Sequence, residues 1–441
     1  MNADLGYTIA DNHRIGFNFN YASIKSELPT SGSGIRPYEG NTPDSSFGEY
    51  TKNNRNFAFN YAGHTTDKAF DWAAAYSFGS DEGEFTTYGY TSTAENRAFN
   101  AHVGYTADMV SFSAGVDYLR YENKPYVWQP QENIKADTGI YFTGKLRLFD
   151  ERLIFSAGGR YDAYSTSGGI LPSQSYGNFG GSLGAAYLPV NWLKLRANYA
   201  EGFKVPSTAQ MSGGGTNAPN PDLKPEKSKT VEFGTDISWN YIDVGLTYFH
   251  SDWVNKIFWA SYNEPPFTGQ NQNLKSSTLA GLEGAFRADI GKALGQNYRL
   301  TPYIEFTLLG TRRNNDEDQF ITYQDKRIDT LADTPKWMVG YGLDYNNPAW
   351  KFKARLNFNR YGVLLTRAWD QAVNWVPPVI ERPAGTVANL SAEKELAQFG
   401  DNGGALSLRG EINNLFDGKN EVYWGYPGAG RSFYLGLRYG F

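Results

Sequence analysis

The four histidines, His13, His64, His102 and His250, are the first place to look for chemistry, because imidazole is the commonest general base and metal ligand. They are scattered along the chain. His102 stands between Ala101 and Val103 in an alternating run with Asn100, where a hydrogen-bonding wall residue is the expected role. No Ser-His-Asp arrangement with a flanking nucleophile elbow is evident. Glycine-spaced matches to phosphate loops carry no weight in a chain with 48 glycines and no strand-to-helix context for them. The run Asn314-Asn315-Asp316-Glu317-Asp318 could hold a hard cation through its carboxylates, but a solvated acidic loop tip is the plainer expectation. No catalytic residue, resident metal or cofactor is therefore expected, and the chain is not read as an enzyme.

Two other sets suit binding rather than catalysis. Tyr126, Trp128, Trp369, Trp375, Tyr423, Trp424 and Tyr426 fall in or beside long polar connectors, where aromatic faces could stack on a ligand with flat or apolar parts. Trp253 and Trp259 lie near strand ends and fit an interfacial girdle better. The second set is basic: Arg160, Arg196, Arg355, Arg409 and Arg438, with Lys194, Lys351 and Lys353, all on rows that alternate with apolar residues. Cations lining one wall would attract an anionic ligand through a focused field, or would pair with another protein segment held inside.

The elements that must position these residues are strands. From Ser432 onward Phe433, Leu435, Leu437, Tyr439 and Phe441 alternate with Ser432, Tyr434, Gly436, Arg438 and Gly440. Phe352, Ala354, Leu356 and Phe358 alternate with Lys351, Lys353, Arg355 and Asn357, and Ile242, Val244, Leu246 and Tyr248 with Asp243, Gly245 and Thr247. About nineteen segments of this kind can be counted. A soluble sandwich would bury such rows against each other, and alternation by itself leaves that open. The connectors favour a membrane barrel. Short ones near 10–12, 65–68, 107–109, 150–152, 190–191, 240, 291–297, 346–348 and 399–404 take turns with long ones at 25–46, 81–95, 123–132, 166–175, 206–229, 261–275, 312–335, 366–385 and 417–430. Short turns on one side and long loops on the other are the pattern of an outer-membrane barrel.

Composition agrees. Aromatics make up 16% of the chain, and the mean hydropathy is -0.53. No apolar run approaches the roughly twenty residues of a membrane helix. The formal charge of -5, with no basic block, argues against nucleic-acid binding. The absence of cysteine excludes disulfides and thiolate metal sites.

The closing segment NNLFDGKNE and PGAGRSFYLGLRYGF, within 410–441, resembles the last hairpin of TonB-dependent outer-membrane receptors. Tyr199-Ala200-Glu201-Gly202-Phe203-Lys204-Val205-Pro206, followed by Asn220-Pro221-Asp222-Leu223-Lys224-Pro225-Glu226-Lys227-Ser228, resembles that family's two boxes at the ends of one outer loop. Turn chemistry accounts for both boxes without a ligand, since proline stops pairing and Asn-Pro-Asp favours a turn. The resemblance implies an all-β transmembrane antiparallel β-barrel, with about nineteen strands in this chain of the family's 22, and residues 1–441 as barrel with the globular plug and the first strands outside it. It further implies an outer-membrane location in a Gram-negative bacterium and lipid as surroundings. A TonB complex would act through the plug, and a metal chelate, most often a ferric siderophore, would be the cargo. Haem-transporting members carry a histidine between the boxes. None lies between Phe203 and Asn220 here, which disfavours haem. Cobalamin or another metal complex is the near alternative, and a passive porin of about eighteen strands the reading from a different class.

Overall fold

The computed structural model describes residues 1–27, 49–85, 90–124, 132–168, 173–214, 217–261, 264–273, 276–315, 321–324, 326–368, 378–400, 404–419, 421–423 and 426–440. Nineteen strands form one antiparallel sheet. They are β1 (Asn2–Thr8), β2 (His13–Glu27), β3 (Glu49–His64), β4 (Phe70–Phe85), β5 (Tyr90–Thr106), β6 (Val110–Asn123), β7 (Asn133–Leu148), β8 (Leu153–Gly168), β9 (Gln174–Val190) and β10 (Leu193–Lys204). The sheet continues through β12 (Glu226–Trp239), β13 (Ile242–Val254), β16 (Ser276–Ala288), β17 (Arg299–Asn314), β20 (Trp337–Asn347), β21 (Phe352–Tyr361), β24 (Gly385–Gln398), β25 (Ala405–Asn413) and β28 (Ser432–Gly440). Shorter strands belong to the long connectors: β11 (Asn217–Ala218), β14 (Ile257–Ser261), β15 (Gly269–Asn273), β18 (Ile321–Tyr323), β19 (Lys326–Ile328), β22 (Leu364–Arg367), β23 (Val379–Arg382), β26 (Glu421–Tyr423) and β27 (Tyr426–Pro427).

Each wall strand pairs with the wall strands next to it in sequence, as a meander does. Register aligns the apolar rows: Tyr341 faces Phe358, Leu343 faces Leu356, and Tyr345 faces Ala354, while Asp344 faces Arg355 between them. The apolar row is the exposed one. Phe142, Phe179, Leu183, Phe233 and Leu437 stay between 55 and 69% exposed, which is untenable in water and normal against lipid. Most buried apolar side chains are found instead in the connectors, where Val205, Met211, Ala218, Leu223, Ile321, Leu364 and Ala368 are almost fully enclosed. The protein is thus greasy outside its wall and carries small cores in its loops.

The turns at one end are tight. Several place non-glycine residues at positive φ, among them Ala10, Lys68, Asp150, Asn240 and Lys351, a conformation that aspartate and asparagine adopt at least cost. The turn between β16 and β17 holds a short helix, α2 (Ile290–Ala293), capped by the Asp289 side chain. At the other end some connectors are shorter than the sequence suggests. The stretch 81–95 is mostly ladder, with Asp81 opposite Asn54 and Ala94, and Phe85 opposite Tyr90. Beyond the bilayer a strand has no lipid to face and loses its apolar row, so hydropathy ends before the hydrogen bonds do. Strands of 16 or 17 residues such as β4, β5 and β9 exceed the 9–11 residues or so that a tilted strand needs to cross. Among the described residues β1 pairs only with β2, and β28 only with β25.

Candidate functional site at the outer mouth

The connector after β10 leaves the wall at Pro206, which has no N–H to give the ladder. The ladder between β9 and β10 ends at Ala200 opposite Ser182, and the Glu201 carboxylate takes over by accepting the Gly181 amide at 3.3 Å and the Tyr199 hydroxyl at 2.7 Å. The short helix α1 (Thr208–Ser212) follows, with Ser207 and Gln210 capping each other reciprocally. Its Met211 is 2% exposed and meets the Tyr176 hydroxyl at 3.6 Å. This helix packs back against the ends of β7 and β8, so the connector folds over the wall.

A second connector completes the cap. β11 runs parallel to β15, which pairs with β14. Asn220 donates to the Asn271 carbonyl at 2.7 Å and accepts the Asp222 amide at 3.2 Å. Asn273 accepts the Lys224 amide at 2.8 Å and donates back to the Lys224 carbonyl at 2.9 Å. Glu226 accepts the Ile257 amide at 2.8 Å, and the Trp259 indole donates to Asn217 at 2.7 Å. The Asn220 and Glu226 side chains and the Lys224 backbone thus join the two loops. In the closing hairpin Asn414, 5% exposed, bonds Gly418 twice and the Ala429 carbonyl once.

Below the cap the basic rows are paired. Arg160 holds Asp117 at 2.5 Å and Asp162 at 2.7 Å. Arg196 meets Asp236 at 3.3 Å and Thr247 at 2.5 Å. Arg355 grips Asp344 through two bonds of 2.5 and 2.8 Å, and Arg409 meets Glu411 at 2.5 Å. Lys351 bonds Glu395, and Lys194 approaches Asp236 at 4.0 Å. Arg438 is exposed and has no ion pair among the described residues. A positive lumen field is largely cancelled by these acids, and the wall between cap and turns is a ladder of ion pairs. A cleft of about 480 Å³ opens there, lined by Asp117, Tyr141, Thr143, Arg160, Ser182 and Glu201. A larger hollow of about 690 Å³ is bordered by Phe112, Leu146, Phe155, Leu183 and Phe233. These belong to the exposed apolar row, so it faces lipid rather than cargo.

The third part of the mouth is built from the connectors after β17 and β21. β22 pairs with β23, burying Leu364, Thr366 and Ala368. The Asp333 amide donates to the Leu365 carbonyl at 2.7 Å, and Arg312 donates to the Thr334 carbonyl. The Arg367 guanidinium lies 5.1 Å from the Phe258 ring centre, joining this part to β14. Arg312 and Arg367 went unnoticed in the sequence because only burial sets them apart.

Of the aromatic candidates, Tyr126, Trp128, Trp369, Trp375 and Trp424 lie outside the described residues, as do Phe441 and Asp316 to Asp318 of the acidic run. For Tyr423 and Tyr426 only the backbone, in β26 and β27, is described. The histidines are each engaged locally. His102 faces Asp71 at 3.5 Å, and His13 bonds Tyr61 at 2.8 Å. His64 bonds the Thr65 carbonyl at 2.9 Å. His250 meets Asp252 at 3.0 Å, but the Thr278 hydroxyl bonds that aspartate rather than the imidazole, so no nucleophile is activated. No metal-ligating cluster occurs among the described residues.

Residues 2–415 match the family described as TonB dependent receptor-like, beta-barrel. The chain belongs to that family. The TonB-dependent receptor match stops short of most of the closing hairpin, although that hairpin carries the resemblance most visibly in the sequence. Heme/hemopexin utilization protein C of Haemophilus influenzae (strain 86-028NP) is 24% identical over 371 residues, covering 75% of this chain and 48% of that protein. Vitamin B12 transporter BtuB of Photobacterium profundum is 25% identical over 342 residues, covering 76% and 48%. The chain therefore spans about half the length of the curated relatives it matches. Among solved structures, the FrpB iron transporter from Neisseria meningitidis superposes with a TM-score of 0.73 at 14% identity, covering 99% of this chain and 71% of that one. The siderophore receptor PirA from Acinetobacter baumannii gives 0.71 at 17%, covering 99% and 70%. At such identities the solved structures establish the barrel fold alone. The family consists of transport receptors of the Gram-negative outer membrane, which agrees with a wall whose exposed face is apolar.

Proposed function

We propose that this barrel serves TonB-driven uptake of a metal-bearing ligand across the outer membrane, and that the ligand is an iron complex, haem before a ferric siderophore. The observation that carries the reading is the match of residues 2–415 to the receptor barrel family, joined to an outer mouth where three connectors are folded into a cap above a polar wall. Haem takes first place because curated relatives covering three quarters of the chain act on heme and hemopexin, against the sequence-based preference for a siderophore. A ferric siderophore remains the second reading because residues 204–219, folded into the cap, contain no histidine to ligate an iron macrocycle. The aromatic residues Tyr126, Trp128, Trp369, Trp375, Tyr423, Trp424 and Tyr426 are proposed as stacking partners of the ligand, and TonB and outer-membrane lipid as the partners.

The test is growth of an iron-starved Gram-negative host that makes the receptor, supplied with hemin or with defined ferric siderophores, in the presence and absence of TonB. Growth on hemin that needs both the receptor and TonB is expected. Uptake that survives removal of TonB, or reconstituted full-length protein that passes ions freely, would replace the receptor reading with the porin.

A further inference from the structure

Much of the lipid-facing wall is filled by large side chains. Aromatic rings meet across the ladder at Phe17 and Phe59 (5.0 Å), Phe70 and Tyr105 (4.7 Å) and Tyr341 and Phe358 (4.9 Å). Between β6 and β12 the same face is hollowed instead, over about 690 Å³. Register gives the reason. Gly144 stands opposite Ala157, and Ala185 opposite Ala197, so two pairs of residues with little or no side chain form a floor. Phe112, Leu146 and Phe155 rise beside it toward β6, and Leu183, Tyr199 and Phe233 toward β12.

The hollow runs across the strands. At one end Val110 and Phe112 face Leu146 and Gly144, and at the other Ala197 and Tyr199 face Phe233 and Val231. From β6 through β7, β8, β9 and β10 to β12 there are five inter-strand steps, which at roughly 4.8 Å each make about 24 Å. Barrel strands tilt by roughly 35–45°, so rows across them are inclined by as much and the hollow climbs about 15 Å, half of a hydrocarbon core of roughly 30 Å. Its low end starts at Val110, beside the short turn at 107–109. Its high end lies where β12 nears the long connector, on the cell-surface side. An apolar groove one leaflet deep has the dimensions of a fatty acyl chain.

Charge meets the high end. Phe233, Val231, Lys229 and Lys227 follow one another on the lipid-facing row of β12, so two ammonium groups stand just above the apolar lining. The Lys229 side chain is 70% exposed and lies 3.9 Å from Glu201, whose carboxylate already accepts the Tyr199 hydroxyl and the Gly181 amide. Lys227 stands 5.9 Å from the Phe203 ring centre. Asp252, opposite Lys229 in the ladder, is held by His250 and Thr278. We propose that the hollow retains acyl chain of a phosphorylated glycolipid of the outer leaflet, with a lipid phosphate on Lys227 and Lys229. Ammonium groups engage phosphate through charge-assisted hydrogen bonds, and the small-residue floor lets the chain lie against the wall rather than over protruding side chains. The inference rests on the outer-membrane reading of the barrel and adds to it a partner on the outside of the wall, distinct from the cargo.

Native mass spectrometry of the full-length receptor, purified in mild detergent from Gram-negative outer membranes, tests the site. An adduct with the mass of lipid A or of its saccharide-bearing form is expected on the wild type. Ala157→Phe combined with Ala185→Leu fills the floor and should lower the occupancy about tenfold. Lys227→Gln combined with Lys229→Gln should lower it about fivefold. Val116→Phe, on the same face but outside the hollow, should leave it unchanged. Heat-modifiable migration on gels reports that each variant folds. Full occupancy in the filled variant, equal loss in Val116→Phe, indifference to the lysines, a glycerophospholipid in place of the glycolipid, or no adduct on the wild type would overturn the proposal. TonB-dependent growth alongside any of those results strikes this site alone, whereas growth indifferent to TonB strikes the receptor reading and leaves the lipid measurement standing.

Discussion

Replacing Asn414 should open the closing hairpin without unfolding the wall. Its amide side chain accepts the Gly418 N–H at 2.9 Å and donates to the Gly418 carbonyl at 2.9 Å and the Ala429 carbonyl at 3.1 Å. Its own N–H is accepted by Asn389 at 2.9 Å, and its φ of +49° lies in the left-handed region. Asn414→Ala removes three side-chain hydrogen bonds, each worth about 1 kcal/mol net. It also loses asparagine's tolerance of left-handed backbone, which costs alanine roughly 1 kcal/mol. The sum is about 4 kcal/mol, or nearly three decades at about 1.4 kcal/mol each. Hydrogen exchange at Gly418 should therefore accelerate by about two to three orders of magnitude. Asn414→Gly keeps the backbone conformation and loses only the bonds, so it should show about 3 kcal/mol of the effect. Exchange at Gly418 changing less than threefold in both variants would refute the argument that this side chain holds the loop. So would alanine and glycine behaving alike, for the backbone part of it.

Met211→Ala should loosen the cap by about 2–5 kcal/mol, read as faster proteolysis of 205–225 in intact outer membranes while the folded barrel still resists heat and detergent. Leu183→Arg, on the exposed apolar row, should cost about 2–4 kcal/mol if it lies near the bilayer centre; reversible folding into lipid vesicles measures it, and no loss would mean that this face does not meet lipid. Removing one partner from the bidentate pair, as in Arg355→Met, should destabilise more than the double change Arg355→Met with Asp344→Leu, because the single variant strands a carboxylate on the wall. Asp289 provides a pH test at the short-turn end. Burial alone would push its carboxyl up, but the Lys292 amide and the Arg299 guanidinium at 2.8 Å outweigh it and hold it below the usual range. A depressed folded value stabilises the turn above the unfolded carboxylate range and is lost as pH falls through the folded one. Exchange protection of 289–298 should therefore fall on acidification, and Asp289→Asn should abolish that dependence.

Much of the wall was legible in the residues. Phe352 to Tyr361 and Ser432 to Gly440 alternate cleanly because each must satisfy lipid on one side and water on the other, and the structure pairs them as strands. The register between strands was not legible, and with it went the partners of the basic rows. Asp117 and Asp344 come to Arg160 and Arg355 across the ladder. Arg160 with Asp162, and Arg409 with Glu411, are spaced two apart on one strand and could have been paired from the sequence by the period of two alone. The stretch 81–95 misled for the complementary reason: its ladder stands where no lipid imposes an apolar row.

By itself the sequence determined the fold class, most of the alternation of short and long connectors, and the two boxes and closing hairpin that carry the family resemblance. Those features are local, since a strand's period and a proline's missing N–H do not depend on what lies across the sheet. Only the tertiary structure decided which charges are spent and which remain. Arg160, Arg196 and Arg355 gained acids from other strands, while Arg312 and Arg367, half-buried in the loops, meet no carboxylate within ion-pair distance among the described residues. Burial and charge pairing depend on what surrounds a residue in space, and loops that meet over a barrel mouth bring together segments whose order along the chain does not reveal that they will touch.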